Sequence, residues 1–243
     1  MAAMKTLVTI EAQPEPLTID LARTAVVVID MQNDFGAEGG MFHRAGIDIA
    51  PIRAVIAPTA RLVAAARTAG VTVVYLTMGF RPDLSDLGGV DAPNRIKHQP
   101  MHVGDRMIAP DGTQGRILIR DTWNTQIVPE LAPEPGDLVI LKHRYSGFYD
   151  TDLETILRER GIQSLVFTGC TTSVCVESTM RDAMFRDFTC VLVADCTAEP
   201  IGQGFVRSNH DASLLVLQVL FGWVSTSAHV ISALEPQLVG SQH

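Results

Sequence analysis

Three residues of reactive type stand at the ends of short apolar, β-branched runs. Residues 24–30 read TAVVVID and close on the carboxylate of Asp30, and 137–142 read DLVILK and close on the ammonium of Lys142. The run 164–169, SLVFTG, leads through a Thr-rich turn to the thiol of Cys175. In doubly wound sheets ligands bind beyond the carboxyl ends of the strands, so an acid, a base and a thiol at such ends can meet at one ligand atom.

Near the start of a helix-like run, unpaired backbone N–H groups and the positive dipole end favour thiolate at Cys175 over a thiol whose ordinary pKa is about 8.5. Val176, Met180, Ala183 and Met184 form the apolar stripe of that helix. Cys175 lines up instead with Thr179, Asp182 and Arg186, a polar line on which a packing cysteine would be out of place. Cys170, Cys190 and Cys196 lie in or beside apolar runs, where packing explains them.

Taken alone, Asp30 could simply cap a loop, and Lys142 could lay its stem on the rim with its ammonium in water. Together they constrain each other: an adjacent lysine keeps a partly buried aspartate ionised and adds potential that favours thiolate. Asp30 could then take the thiol proton and return it to a leaving amine. The small residues Gly169 to Ser173 form a candidate oxyanion hole, in which the amides of Thr171 and Cys175 face the developing charge.

The elements that must hold these residues are read from periodicity. Strand-like runs fall at 24–30, 71–77, 137–142, 164–169, 190–195 and 221–225, and helix-like runs at 52–68, 151–160, 173–187, 204–217 and 226–234. The alternation predicts an α/β fold: a doubly wound, mostly parallel sheet flanked by helices on both faces, a Rossmann-like three-layer arrangement. Gly70 and Gly161 stand where helix C-caps belong, Thr151 and Ser173 where N-caps belong. Residues 1–243 read as a single domain, with 1–23 an N-terminal arm. Residues 79–125 form an irregular excursion, expected near the active site or at an interface.

A chain of 243 residues, 47% hydrophobic and 19% charged, can bury one full core. Its net charge of −8 and lack of any run of Lys or Arg argue against nucleic acid or an anionic membrane as partner. No uninterrupted apolar leader and no spanning stretch is visible, so a cytoplasmic protein with reduced thiols is expected. G-x-S-x-G, the P-loop, the third glycine of a dinucleotide fingerprint and the second Asp of an aspartyl-phosphate enzyme are all missing.

VVVIDMQNDF around Asp30, Lys142 at its strand end and GCTTSVCVESTMRDA around Cys175 resemble the isochorismatase-like cysteine hydrolase superfamily, over residues 24 to about 230. The resemblance implies a triad of Asp30, Lys142 and Cys175, a cis peptide at Cys170–Thr171, an oxyanion hole of backbone amides, and a homo-oligomer, dimer to tetramer. Within the family, the stretch from Lys142 to Ala183 and the FGWVS motif resemble ureidoacrylate amidohydrolases, and GFRPDLSDL resembles the matching loop of biuret hydrolases. Both imply attack on a carbamoyl carbon with loss of ammonia, triuret-type substrates included. An N-carbamoyl amino acid amidohydrolase, of the N-carbamoylsarcosine kind, or a non-catalytic binding protein on the same fold are the alternatives. Nicotinamidases of the family carry a metal on an Asp-x-His motif where this chain reads MGFRPDLSD, so no metal and no cofactor is expected. His98 and His102, at i, i+4 spacing, read as loop histidines. Isochorismatase activity itself does not rely on the cysteine. Candidate contacts to a small ureido or amide substrate are Phe35, Arg81, Asn94, Tyr145 and Gln218.

Overall fold

Six runs rich in Val, Ile and Leu form the central sheet of the computed structural model, which describes residues 6–202, 206 and 208–235. The chain begins with a hairpin of β1 (Leu7–Ile10) and β2 (Leu17–Asp20), then β3 (Thr24–Ile29), the short helices α1 (Asn33–Gly36), α2 (Met41–Arg44) and α3 (Ala50–Ala54), helix α4 (Ile56–Thr68) and β4 (Thr72–Met78). Helix α5 (Pro93–His98), a hairpin of β5 (Arg106–Ile108) and β6 (Gln114–Arg116), β7 (Leu138–Lys142), α6 (Leu153–Glu159) and β8 (Ser164–Cys170) follow. Last come α7 (Glu177–Met184), β9 (Thr189–Ala198), α8 (Asn209–Leu220), β10 (Trp223–Ser225) and α9 (Ser227–Leu234).

The sheet runs β10-β9-β8-β3-β4-β7, and every neighbouring pair is parallel. From β3 the chain steps outward through β4 to β7, then returns to β8 on the other flank of β3 and continues to β9 and β10. That reversal opens a crevice between the carboxyl ends of β3 and β8, the place where such sheets bind ligands.

Alternate residues of each strand enter different cores. Val26, Val28, Val73, Tyr75 and Val166 pack with Leu62 and Ala66 of α4 and Val230 of α9, while Val27, Ile29, Val74, Leu76 and Phe167 pack with Leu157, Met180 and Leu217 of α6, α7 and α8. Burial on both faces is why these runs lack polar alternation.

Boundaries moved where local chemistry required it. The run 52–68 divides at Val55 into α3 and α4, because Pro58 has no N–H to donate back to Ala54. The run expected from 204 begins at Asn209 behind Ser208, whose hydroxyl accepts the Asp211 N–H; residues 204, 205 and 207 lie outside the described residues. Gly70 and Gly161 follow α4 and α6 with φ of +71° and +70°, as C-cap glycines do. The N-cap of α6 is Asp152, one residue after the expected Thr151, whose hydroxyl accepts the Leu153 N–H.

Two regions are more ordered than their sequences imply. The arm before residue 24 contains the first hairpin, and Gln13 exchanges backbone hydrogen bonds of 2.8 and 3.0 Å with Val224, covering the open edge of β10. The excursion 79–125 is tied down by three buried polar side chains that follow β3. Gln32 bonds Met78 and Thr125, Asn33 donates to the Trp123 carbonyl, and Asp34 accepts from Met41, Leu118 and Asn124 at 2.6–2.9 Å.

Candidate active site

Lys142 ends β7 in register with Met78 of β4, one strand away from Asp30. Its stem crosses the end of β4 past the Met78 sulfur (3.6 Å), and Nζ donates to Asp30 Oδ2 at 2.7 Å and to the Arg144 carbonyl at 3.3 Å. Asp30 turns out of β3 with φ of +52°, a left-handed conformation that costs energy in a non-glycine residue and is held here by its N–H bond to the Leu76 carbonyl. Both side chains are buried, at 0% and 1% exposure.

Burial pushes the Asp30 carboxyl above the ordinary carboxylate range, with Lys142 and the Cys175 thiol pulling it back. For Lys142 burial pulls downward, but its interactions with Asp30 and Cys175 outweigh it and hold the ammonium above its usual range. The Cys175 thiol thus interacts with both groups. It makes no well-formed hydrogen bond to Asp30 Oδ1, however, and that oxygen is buried without a partner. A carboxylate oxygen left open beside a thiol can receive its proton.

The nucleophile candidate is carried by an unusual turn. At Gly169 φ is +110°, and a Cβ there would stand 2.0 Å from the Ile29 carbonyl, so only glycine lets β8 lie this close to the end of β3. The Cys170–Thr171 peptide is cis, as the resemblance implied. Thr172–Val176 then form a π-helical turn, with the Val176 N–H reaching the Thr171 carbonyl at 3.2 Å, and α7 continues from it. Single π turns inside helices recur at functional sites.

Two expectations for this turn are corrected. Ser173 is not an N-cap: it lies inside the turn, and its own N–H and hydroxyl are received by the carboxylate of Glu199. Nor is the Cys175 thiol depressed. Burial and the neighbouring Asp30 push it above the ordinary thiol range against the pull of Lys142. The dipole effect of a helix start is a fraction of the cost of a buried anion.

The polar line expected on α7 is present and has work to do. Thr179 donates to the Cys175 carbonyl (2.6 Å) and accepts the Gly147 N–H (3.0 Å), Asp182 accepts the Ser146 hydroxyl, and Arg186 pairs with Asp182 and Glu154. These bonds fasten the Cys175 turn and α7 to the loop that follows Lys142.

Of the five candidate substrate contacts, Tyr145 is brought beside Cys175 and Lys142. Burial raises its phenol, and it feels both Cys175 and Lys142. Its ring stacks on His98 at 5.9 Å, and His98 meets Phe80 edge-on at 5.4 Å, giving an aromatic wall beside Lys142. Burial lowers the His98 pKa despite its bond to the Asn94 carbonyl, so the ring is neutral at pH 7 with Nδ1–H donating to that carbonyl. His102 lies beyond α5, exposed and paired with Asp105, so the two histidines do not act together. Asn94 spends its amide on the Leu87 carbonyl and organises the loop rather than the crevice. Arg81 is exposed in a groove with Arg120, His143 and Arg144, outside β7.

The Phe35 ring packs edge-on against Phe42 at 5.1 Å within the apolar cluster that also holds Phe80 and Met78, whose sulfur lies beside Lys142. Gln218 is brought elsewhere. Gln218 lines a groove with Thr189 and Trp223, the first residues of β9 and β10, at the amino ends of the strands. Reading the sequence missed Gln32, Asp34, His98 and Glu199 as parts of the frame. A signal for two of them is present in Gln32-Asn33-Asp34, consecutive polar residues directly after a buried strand.

A family model described as the isochorismatase domain matches residues 24–229. A ureidoacrylate amidohydrolase RutB of Methylorubrum extorquens is 42% identical over 227 residues, spanning 93% of this chain and 89% of its own. Its counterpart in Rhizobium rhizogenes is 42% identical over 219 residues, 90% of this chain and 86% of that protein. Among solved structures, a cysteine hydrolase from Pseudomonas syringae pv. phaseolicola aligns with a TM-score of 0.75 at 31% identity, over 95% of this chain and 98% of that one. An N-carbamoylsarcosine amidase from Thermoplasma acidophilum aligns with a TM-score of 0.61 at 26% identity, over 84% and 96%.

Proposed function

The chain belongs to the isochorismatase family, and on that premise we propose that it is a cysteine amidohydrolase that cleaves the terminal C–N bond of a small ureido compound and releases ammonia. The observation that carries this reading is the buried Lys142–Asp30 pair at 2.7 Å beside Cys175, with Asp30 Oδ1 open toward a new partner.

The thiol proton passes to Asp30 as sulfur attacks the carbamoyl carbon, and the carbonyl electrons move onto oxygen. Backbone amides of Thr171 and Cys175 hold that oxyanion, and Lys142 keeps the pocket's charge balanced. Asp30 then gives its proton to the terminal nitrogen, the C–N bond breaks, and ammonia leaves an S-carbamoyl cysteine. Water, deprotonated by the same carboxylate, attacks this acyl-enzyme and expels the sulfur, which recovers its proton. A carboxylate raised by burial suits both directions of transfer, since general acid–base catalysis works best with a pKa near the operating pH.

Ureidoacrylate is the first substrate to test, supported by the relatives at 42% identity. Biuret and triuret present the same terminal carbamoyl group. Tyr145 would flank the planar ureido group. Carbamoyl amino acids are a second reading, favoured by the likeness to an N-carbamoylsarcosine amidase. Exposed Leu215, Val219 and Leu220 on α8 support assembly into a homo-oligomer. Among the described residues no helix is long and apolar enough to cross a membrane.

The test is ammonia release across ureidoacrylate, biuret, triuret, N-carbamoyl amino acids and nicotinamide, with Cys175→Ser beside the native chain. A nucleophile substitution is expected to lower kcat about a thousandfold or more. Near-native release by Cys175→Ser would end the proposal. Stoichiometric alkylation of Cys175, blocked by a ureido compound, would distinguish an enzyme from a binding protein on the same fold.

A further inference from the structure

Glu199 follows β9, and its carboxylate is buried, 8% exposed, between that strand's end and the nucleophile turn. Oε2 accepts the Ser173 N–H at 2.8 Å and also the Ser173 hydroxyl, and Oε1 accepts the Ile201 N–H at 2.8 Å. Both oxygens are therefore engaged, one with the nucleophile turn and one with the chain just beyond Glu199. Beside this contact the Thr172 hydroxyl bonds His210 Nδ1 at 3.0 Å, so two successive residues of the turn are held from outside it.

The N–H groups that open a helix have no partners within it, and something else must orient them. Ser173 lies two residues before Cys175, between the two amides assigned to the oxyanion. Holding the Ser173 N–H on a fixed carboxylate leaves those of Thr171 and Cys175 free to point at substrate. The turn cannot rotate about its own axis without breaking two bonds to a buried charge, which are stronger than neutral ones.

We propose that Glu199 is a positioning residue for the nucleophile: through Ser173 it fixes the turn that directs the Cys175 sulfur and the oxyanion amides. It touches neither the substrate nor the reacting atoms. The inference rests on the reading of Cys175 as nucleophile, and it goes beyond that reading by adding a residue outside the three groups at the strand ends.

The experiment compares the native chain with Glu199→Gln and Glu199→Ala. Two quantities are read: kcat and KM for ammonia release from ureidoacrylate, and the pH profile of iodoacetamide alkylation at Cys175. A misplacement of about 1 Å can cost about a hundredfold in rate, so Glu199→Ala is expected to lower kcat about tenfold to a hundredfold, with KM changed less than about threefold. Its alkylation profile is expected to shift as the sulfur leaves its place between Asp30 and Lys142. Glu199→Gln keeps an oxygen that can accept both Ser173 donors, and should recover most of the rate and the native profile. A Glu199→Ala chain that melts earlier but keeps native kcat and the native alkylation profile would reduce Glu199 to a stabilising contact and overturn the proposal. The alkylation measurement needs no substrate, so a native chain inactive on ureidoacrylate counts against the substrate alone and leaves Glu199 decided by the thiol.

Discussion

A carboxylate asked to take a proton from sulfur and give it to nitrogen must hold that proton more tightly than a solvated one does. In the proposed reaction Asp30 meets this need by being buried, with Lys142 pulling its carboxyl back toward the ionised form. For activity the carboxylate must be free at the start of the cycle, so kcat/KM is expected to rise with pH through the raised Asp30 pKa. The acid limb should therefore fall above pH 4, the ordinary carboxylate value being about 3.9. A pH–rate profile checks this: an acid limb at or below pH 4 would mean that Asp30 is not the base. At this scale the sequence pointed to residues that the fold brings together, Asp30, Lys142 and Cys175, but not to the effect of burial on the thiol. The start of a helix suggested a thiolate at Cys175, but a pKa depends on burial and on neighbours, and the nearest of these are Asp30 and Lys142, far away along the chain.

Among the elements, two contacts decide whether the site forms. Gly169 lies against Ile29, and a side chain there would collide with backbone that has no rotamer to adopt. Gly169→Ala is expected to force β8 from β3 and to cost more than the roughly 1–3 kcal/mol usual for an overpacked site, read as a lowered urea midpoint together with lost activity. The second contact is Asp34, which joins α1 to α2 and to the excursion 79–125. Burial raises its carboxyl to about 6 although three hydrogen bonds oppose the shift. A raised folded pKa means the folded chain holds the proton more tightly. The stability from this group is therefore complete below the unfolded carboxylate value, about 4, and is lost as pH rises through about 6, a change of about 3 kcal/mol. Asp34→Asn should remove that slope, and urea midpoints between pH 4 and 7 for both chains measure it; parallel curves would contradict the assignment. The turn and helix ends illustrate what was legible here. Gly70 and Gly161 announced themselves because a C-cap is local, whereas Ser173 did not, because its partner Glu199 arrives from another strand.

At the scale of the whole molecule, one helix is poorly covered. On α8, Leu215, Val219 and Leu220 are each more than half exposed, as is Phe185 beyond α7. Apolar patches of this kind mark association surfaces. Val219→Glu with Leu220→Glu is expected to convert a homo-oligomer into smaller species in sedimentation velocity, while Cys175, in another part of the fold, stays open to alkylation. A native chain that sediments as a monomer would leave this face without a partner copy. The same helix explains why Gln218 fails as a substrate contact: it faces the amino ends of β9 and β10, and the crevice opens at the other end.

The six strands of the central sheet, the larger helices between them and the positions of Asp30 and Lys142 at strand ends follow from the sequence alone, because hydrophobic periodicity and helix-capping glycines act over a few residues; the two hairpins and the short helices do not. Tertiary structure alone decided which polar groups meet. The Lys142–Asp30 bond joins residues 112 positions apart, and the Phe80–His98–Tyr145 wall and the Glu199–Ser173 contact likewise join separate elements. The direction of the Cys175 shift follows in the same way, since the free energy of a buried charge depends on what surrounds it in space.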